Sequence, residues 1–157
     1  MALTKDGIDE LDIAQVLKNL SREIAKVENR TQAGLTLAAV HVKGKAQSYT
    51  PLEFGNFRTS AYVLGPDGND NIETNFETTK SKSGPRVAAE HNEEISLSKA
   101  LVNNMTAVIG YTAYYAVYVH EIDKMYKAPE THWKYLARAL YEEQGMILKI
   151  IAKKAKK

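Results

Sequence analysis

Metal binding or proton transfer near neutral pH would fall to the carboxylates and four histidines, His41, His91, His120 and His132, because the chain has no cysteine. The densest grouping is His120-Glu121-Ile122-Asp123. A helical zinc site needs a second histidine four residues after the first, and that position is Lys124. Adjacent residues on a helix point about 100° apart, so His120, Glu121, Asp123 and His132 cannot converge on a divalent ion unaided. A metal-dependent hydrolase on these four residues is one class to test, against ordinary surface polar groups and ion pairs. The glycines are spread singly, with no phosphate-cradling loop, dinucleotide fingerprint or nucleophile elbow. No serine has a histidine and an acid at a spacing that argues for a triad. The expectation is a protein with no catalytic residue, no metal and no cofactor.

The chemistry therefore yields to the elements that would hold these residues. A chain of 157 residues, 44% apolar and 25% charged, buries one sizeable core, so a single domain over 1–157 is expected. A formal charge of +2 announces no partner. The start of the chain lacks the pattern of a signal peptide, and no run of eighteen apolar residues occurs, which predicts a soluble protein with no membrane partner. Without cysteine there is no disulfide scaffold, which fits a reducing compartment.

Apolar residues from Asp9 to Gln47, including Ile13, Leu17, Leu20, Ile24, Val27, Leu35, Ala38 and Val42, recur every three or four positions and predict a long helix. Gly34 and Gly44 predict a bend or break in its far half, and Pro51 ends it. The segment Arg58–Gly65 reads as a strand closed by Gly65-Pro66. The polar stretch 66–85 cannot offset its own ordering entropy and predicts a mobile loop or weak hairpin. A shorter helix is predicted over Val87–Asn103, a second strand over Met105–Tyr111, and a helix from Pro129 or Thr131 onward. The fold class is α+β, two long helices and a shorter one on a small, largely antiparallel sheet.

Five of the last nine residues are lysines, giving a basic tail over 149–157. At a helix C-terminus such charge complements the dipole, and it could equally contact phosphates without sequence preference. Lys80, Lys82 and Arg86 form a second small basic group in and beside the loop. They suit a channel through which DNA passes, or plain solubility.

Seven of the nine tyrosines lie between Tyr111 and Tyr141, with the lone tryptophan. Such side chains are favoured at core edges and at protein interfaces. Helical spacing places Tyr111, Tyr115, Tyr118 and Ile122 on one face. The stretch "YYAVYVHE", followed by "HWKYLARAL", resembles the signature of small neck proteins of tailed bacteriophages, the head-tail joining or tail-completion proteins often labelled minor capsid proteins. Upstream, "AQSYTPLEFGNFRTSAYV" is similar to the same family's proline-glycine element, with Pro51, Gly55, Arg58 and Ser60 on the pattern. Phe54 and Phe57 depart from it, in place of the usual threonine and leucine. The resemblance covers Leu11 to Leu140 and leaves the loop and the tail outside.

The resemblance implies a structural virion protein with no reaction to catalyse. It implies a homo-oligomeric ring of six subunits in the neck, assembled in the host cytoplasm and joining the DNA-filled head to the tail. Its partners would be head-completion or adaptor proteins and tail-tube or tail-terminator proteins, with transient, non-specific contact with genomic DNA. Ring contacts close by rotation, so each subunit needs two unlike faces. The expected interface residues are Tyr111, Tyr114, Tyr115, Tyr118, His120, Glu121 and Tyr126 for one face, with the long first helix for the other. Arg58 would either reach Glu121 or lie along the sheet edge. A head-side adaptor ring and a non-specific DNA-binding module are the alternatives.

Overall fold

The computed structural model describes residues 10–51, 55–66, 84–123, 125–126 and 130–156, without the side chains of 10–12, 55–56 and 84–90. In chain order the elements are α1 (Glu10–Tyr49), α2 (Gly55–Thr59), β1 (Ala61–Leu64), α3 (Gly84–Lys99), β2 (Val108–Tyr111), α4 (Ala116–Glu121), α5 (Tyr135–Glu142) and α6 (Gln144–Ala155). The fold is α+β and mostly helical, with a long N-terminal helix, a C-terminal helix and a two-stranded antiparallel sheet. Among the described residues no helix is long and apolar enough to cross a membrane.

The 40 residues of α1 form one uninterrupted helix, about 60 Å long at 1.5 Å per residue. The break expected at Gly34 or Gly44 does not occur. At Gly34 the missing side chain serves packing instead: a Cβ there would lie 3.1 Å from the Ile151 Cα and 3.1 Å from the Lys154 Cβ of α6. The α6 backbone comes that close because nothing stands between. From Gly34 to Tyr49, α1 is covered by α6 and then α5, running antiparallel to it. The helix stops where Thr50 turns back, its Oγ1 and N–H both donating to the Gln47 carbonyl at 2.7 and 3.3 Å, one residue before Pro51 removes a donor.

The strand expected from Arg58 begins only at Ala61. Gly55–Thr59 is a helical turn, closed by the Ser60 hydroxyl and N–H, which donate to the Phe57 carbonyl at 2.7 and 3.1 Å. The local hydroxyl-to-carbonyl bond wins over strand alternation in so short a segment. β1 then pairs with β2 in the register Ala61↔Tyr111, Tyr62↔Gly110, Val63↔Ile109 and Leu64↔Val108. Every residue of β1 is buried, and β2 is half-buried.

Two buried polar contacts fasten α3 to this sheet: Tyr62 Oη to Ser98 Oγ at 2.7 Å, and His91 Nδ1 to Thr112 Oγ1 at 2.8 Å. Apolar packing of Ile95 with Tyr62 and Leu64 supplies the rest. The main core gathers Val42, Ala46, Phe57, Ala116, Tyr135 and Ala139 from four different stretches of chain.

The helix expected from Pro129 starts later, at Tyr135, because Lys134 adopts the left-handed conformation (φ 51°) immediately before it. It also divides at Glu143, whose carboxylate lies 2.7 Å from His41 Nε2 on α1. The expected tail over 149–157 is helical up to Ala155. Residues 67–83 of the expected loop 66–85, with Lys80 and Lys82, lie outside the described residues, while Arg86 falls in α3 with its side chain outside them.

Candidate interaction surface

The tyrosine stretch splits by geometry into an inward and an outward half. Tyr111 ends β2 and α4 begins only at Ala116, so the single helical face expected to carry Tyr111, Tyr115, Tyr118 and Ile122 does not form. Tyr111 belongs to the core: its ring stacks on Phe57 at 5.1 Å and meets Tyr135 edge-on at 5.0 Å. Tyr115 tilts against the same Phe57 at 5.5 Å. Phe57 is fully buried at the centre of this aromatic group. Phe57 is therefore the residue on which the local fold turns.

The outward half is Tyr114, Val117, Tyr118 and Ile122, 79%, 68%, 66% and 54% exposed. Val117 and Tyr118 lie on α4 itself, with Tyr114 just before it and Ile122 at its C-terminal cap. Met125, just beyond, is 98% exposed. Together these residues leave apolar side chains exposed around α4. Beside the patch, a cleft of about 220 Å³ between α4 and α5 is lined by Tyr111, Val117, His120, Glu121, Tyr135 and Leu136. His120 Nδ1 is 2.6 Å from Glu121 Oε1, and the imidazole packs edge-on against Tyr135 at 4.9 Å. The Tyr126 hydroxyl donates to the Val119 carbonyl at 3.4 Å, tying the following segment back to α4.

Arg58 and Glu121 are not brought together. The guanidinium donates to Thr50 Oγ1 and to the Thr50 carbonyl at 3.4 and 3.3 Å, while Gln47 Nε2 donates to the Arg58 carbonyl at 2.8 Å. A cation thus sits at the C-terminal, partially negative end of α1, where it is favoured. His132 engages Tyr49: its N–H donates to the Tyr49 carbonyl at 3.1 Å and its ring meets Tyr49 edge-on at 5.3 Å. Among the described residues no group of three or more His, Asp or Glu side chains is arranged to hold a metal ion.

Burial drives the Tyr111 and Tyr135 phenols far above their ordinary pKa of 10.0, with neighbouring Tyr135 adding for Tyr111, and Tyr126 and Glu121 adding for Tyr135. Tyr135 donates to the Ala116 carbonyl at 3.2 Å, whereas the Tyr111 hydroxyl has no hydrogen-bond partner among the described residues. Raised acid pKa values fix the sign of a pH effect. Below pH 10 both states keep these protons; above it the unfolded chain releases them while the folded chain does not, so stability falls as pH climbs from 10 toward the folded values. In a titration followed at 295 nm, Tyr111 and Tyr135 are expected to ionise only together with loss of the far-UV helix signal. Ionisation of all nine tyrosines with the helix signal intact would contradict their burial.

The other face expected from the sequence is the long first helix. Residues 13–29 of α1 are exposed throughout, although Ile13, Val16, Leu17, Leu20, Ile24 and Val27 are apolar and fall on one side. Periodicity identified the helix but not whether its stripe faces the core of the same subunit.

No family model, curated protein or solved structure matches this chain.

Proposed function

We propose that the chain is a structural virion protein of a tailed phage, a neck ring subunit that joins the DNA-filled head to the tail. The observation that carries this reading is a pair of separate, exposed apolar surfaces on one subunit: the α4 patch of Tyr114, Val117, Tyr118 and Ile122, and the projecting half of α1. A subunit that closes a ring by rotation requires two unlike faces of this kind. The resemblance of the tyrosine and proline-glycine motifs to neck proteins supports the same reading. Its task is mechanical, seating the tail and keeping the DNA channel continuous, with neighbours among the head-completion and tail-tube proteins and no reaction of its own.

Non-specific contact with DNA is the second reading, favoured by one observation. Lys149, Lys153 and Lys156 are exposed and spaced by four and three along the end of α6, so they share a side.

The test is complementation of a phage lacking this chain. Val117→Glu with Tyr118→Glu is expected to leave the far-UV spectrum and melting temperature of the purified protein unchanged, because both positions are exposed. The same variant is expected to lower infectious titre by about a hundredfold or more, with heads and tails accumulating unjoined, since a charge in an apolar contact costs several kcal/mol. Joined particles formed in the complete absence of the chain would overturn the reading. Strongly salt-dependent DNA binding by the free subunit, with no place for it in the particle, would favour the DNA-binding module instead.

A further inference from the structure

The stripe on the projecting half of α1 has a period that selects its partner. Ile13, Leu17, Leu20, Ile24, Val27, Thr31 and Gly34 alternate steps of four and three. That average of 3.5 is the seam of a left-handed coiled coil. At Gly34 the seam is already occupied within the subunit, by Ile151 and Lys154 of α6. Beyond it the same seam runs on with no α6 over it, and Leu20, Ile24 and Val27 stand 55%, 58% and 50% exposed. Here Met105 forms a facing wall, so that Ile24, Val27, Thr31 and Met105 enclose a groove of about 530 Å³ rimmed by Glu23 and Glu28. A helix fits such a groove.

We propose that the groove is filled by the same stripe of a second copy, running antiparallel, with Ile24 of each chain level with Val27 of the other. The flanking charges select this orientation. With Leu17, Ile24 and Thr31 at one seam position and Leu20 and Val27 at the other, Glu23 and Arg30 flank one side and Ser21 and Glu28 the opposite side. Parallel pairing would set Glu23 against Glu28 of the other chain, twice, which is repulsive. Antiparallel pairing centred between Ala25 and Lys26 sets Glu23 against Arg30 of the other chain, also twice, and Leu20 against Thr31. Glu23 is bonded at 2.6 Å to Lys26 of its own helix, but that pair is exposed and yields readily to a second cation. The pairing stands on α1 itself and holds whether or not the chain is a neck protein. In a neck protein it is a storage form that keeps α1 covered until assembly.

The absence of cysteine makes the test clean, using the full chain. Ile24→Cys and Val27→Cys proteins are prepared separately, mixed in equal amounts and oxidised mildly. The mixture is expected to form a disulfide between unlike chains, since residues level across a helix pair fall within the about 4.4–6.8 Å Cα separation that a disulfide spans. Each protein alone is expected to form far less. Self-cross-linking of Ile24→Cys alone signifies parallel pairing and overturns the proposal; so does a monomeric mass at about 100 µM, well above the dissociation constants of specific pairs. Glu23→Arg is expected to weaken dimerisation about tenfold, from two attractive pairs turned repulsive. Adding Arg30→Glu is expected to restore it, and a double variant no tighter than the single overturns the register. Circular dichroism confirms that each variant is folded. A monomer leaves the neck reading standing, and absence of the chain from phage particles leaves this one standing.

Discussion

Phe57→Ala is expected to lower the unfolding free energy by about 3–5 kcal/mol, the range for emptying a large aromatic site in a core. The ring is 0% exposed and touches three others: Tyr111 at 5.1 Å, Tyr115 at 5.5 Å and Tyr135 at 5.5 Å. Removing it leaves a cavity bordered by two phenols whose hydroxyls are held in dry surroundings, so relaxation or water entry would expose what burial now protects. The loss is expected to exceed the transfer term alone because α2, β2, α4 and α5 all meet at this point. Urea unfolding followed by circular dichroism measures it, as a lower midpoint at unchanged slope. Phe57→Leu is expected to cost less than Phe57→Ala because it keeps part of the volume. A drop below about 1 kcal/mol for Phe57→Ala would mean that the aromatic group is not the hub described.

Gly110→Ala is the second large effect, and here one methyl group is enough. A Cβ at this position would lie 2.5, 2.6 and 2.8 Å from the Tyr62 Oη, Cζ and Cε1 atoms, closer than any of them tolerates. Tyr62 is the cross-strand partner of Gly110, and its ring fills the space that the glycine leaves, a device that compensates a weak strand residue. Its hydroxyl reaches on to Ser98 of α3 at 2.7 Å, so the ring cannot shift without giving up that bond. The expected cost is about 1–3 kcal/mol for overpacking, with the unpaired Ser98 and Tyr62 hydroxyls adding about 1 kcal/mol or more. Tyr62→Phe separates these contributions, since it removes the hydrogen bond and keeps the ring. Combining Gly110→Ala with Tyr62→Ala is expected to be less harmful than the sum of the two single changes, because the clash disappears with the ring. Additive behaviour would show that Tyr62 does not lie across the glycine.

How far the chain declares this arrangement depends on the range of the interaction involved. α1 is legible because its period persists for forty residues, and the two strands are legible because β-branched and aromatic residues cluster beside turn signals. The glycines of α1 mislead: a local rule reads Gly34 as a weakness, whereas its role is set by Ile151, more than a hundred residues away. Arg58 misleads for a similar reason. A lone cation beside a strand calls for a carboxylate, yet among the described residues its guanidinium donates to Thr50 at the end of α1. The tyrosine stretch could be located by composition but not divided, since whether Tyr111 faces in and Tyr114 out depends on where β2 stops and α4 starts. A boundary shift of a few residues reverses those assignments. The buried contacts of His91 with Thr112 and of Tyr62 with Ser98 join residues far apart in sequence, with no motif to announce them.

The free half of α1 also has a mechanical meaning. From Gly34, where α6 packs against it, to Ile13 is about 30 Å of helix, a lever arm beyond that contact. A tilt of about 10° at that contact carries the tip through about 5 Å, roughly one helical turn. Any slight tilt where α1 meets α6 would thereby be magnified at the far end of the helix.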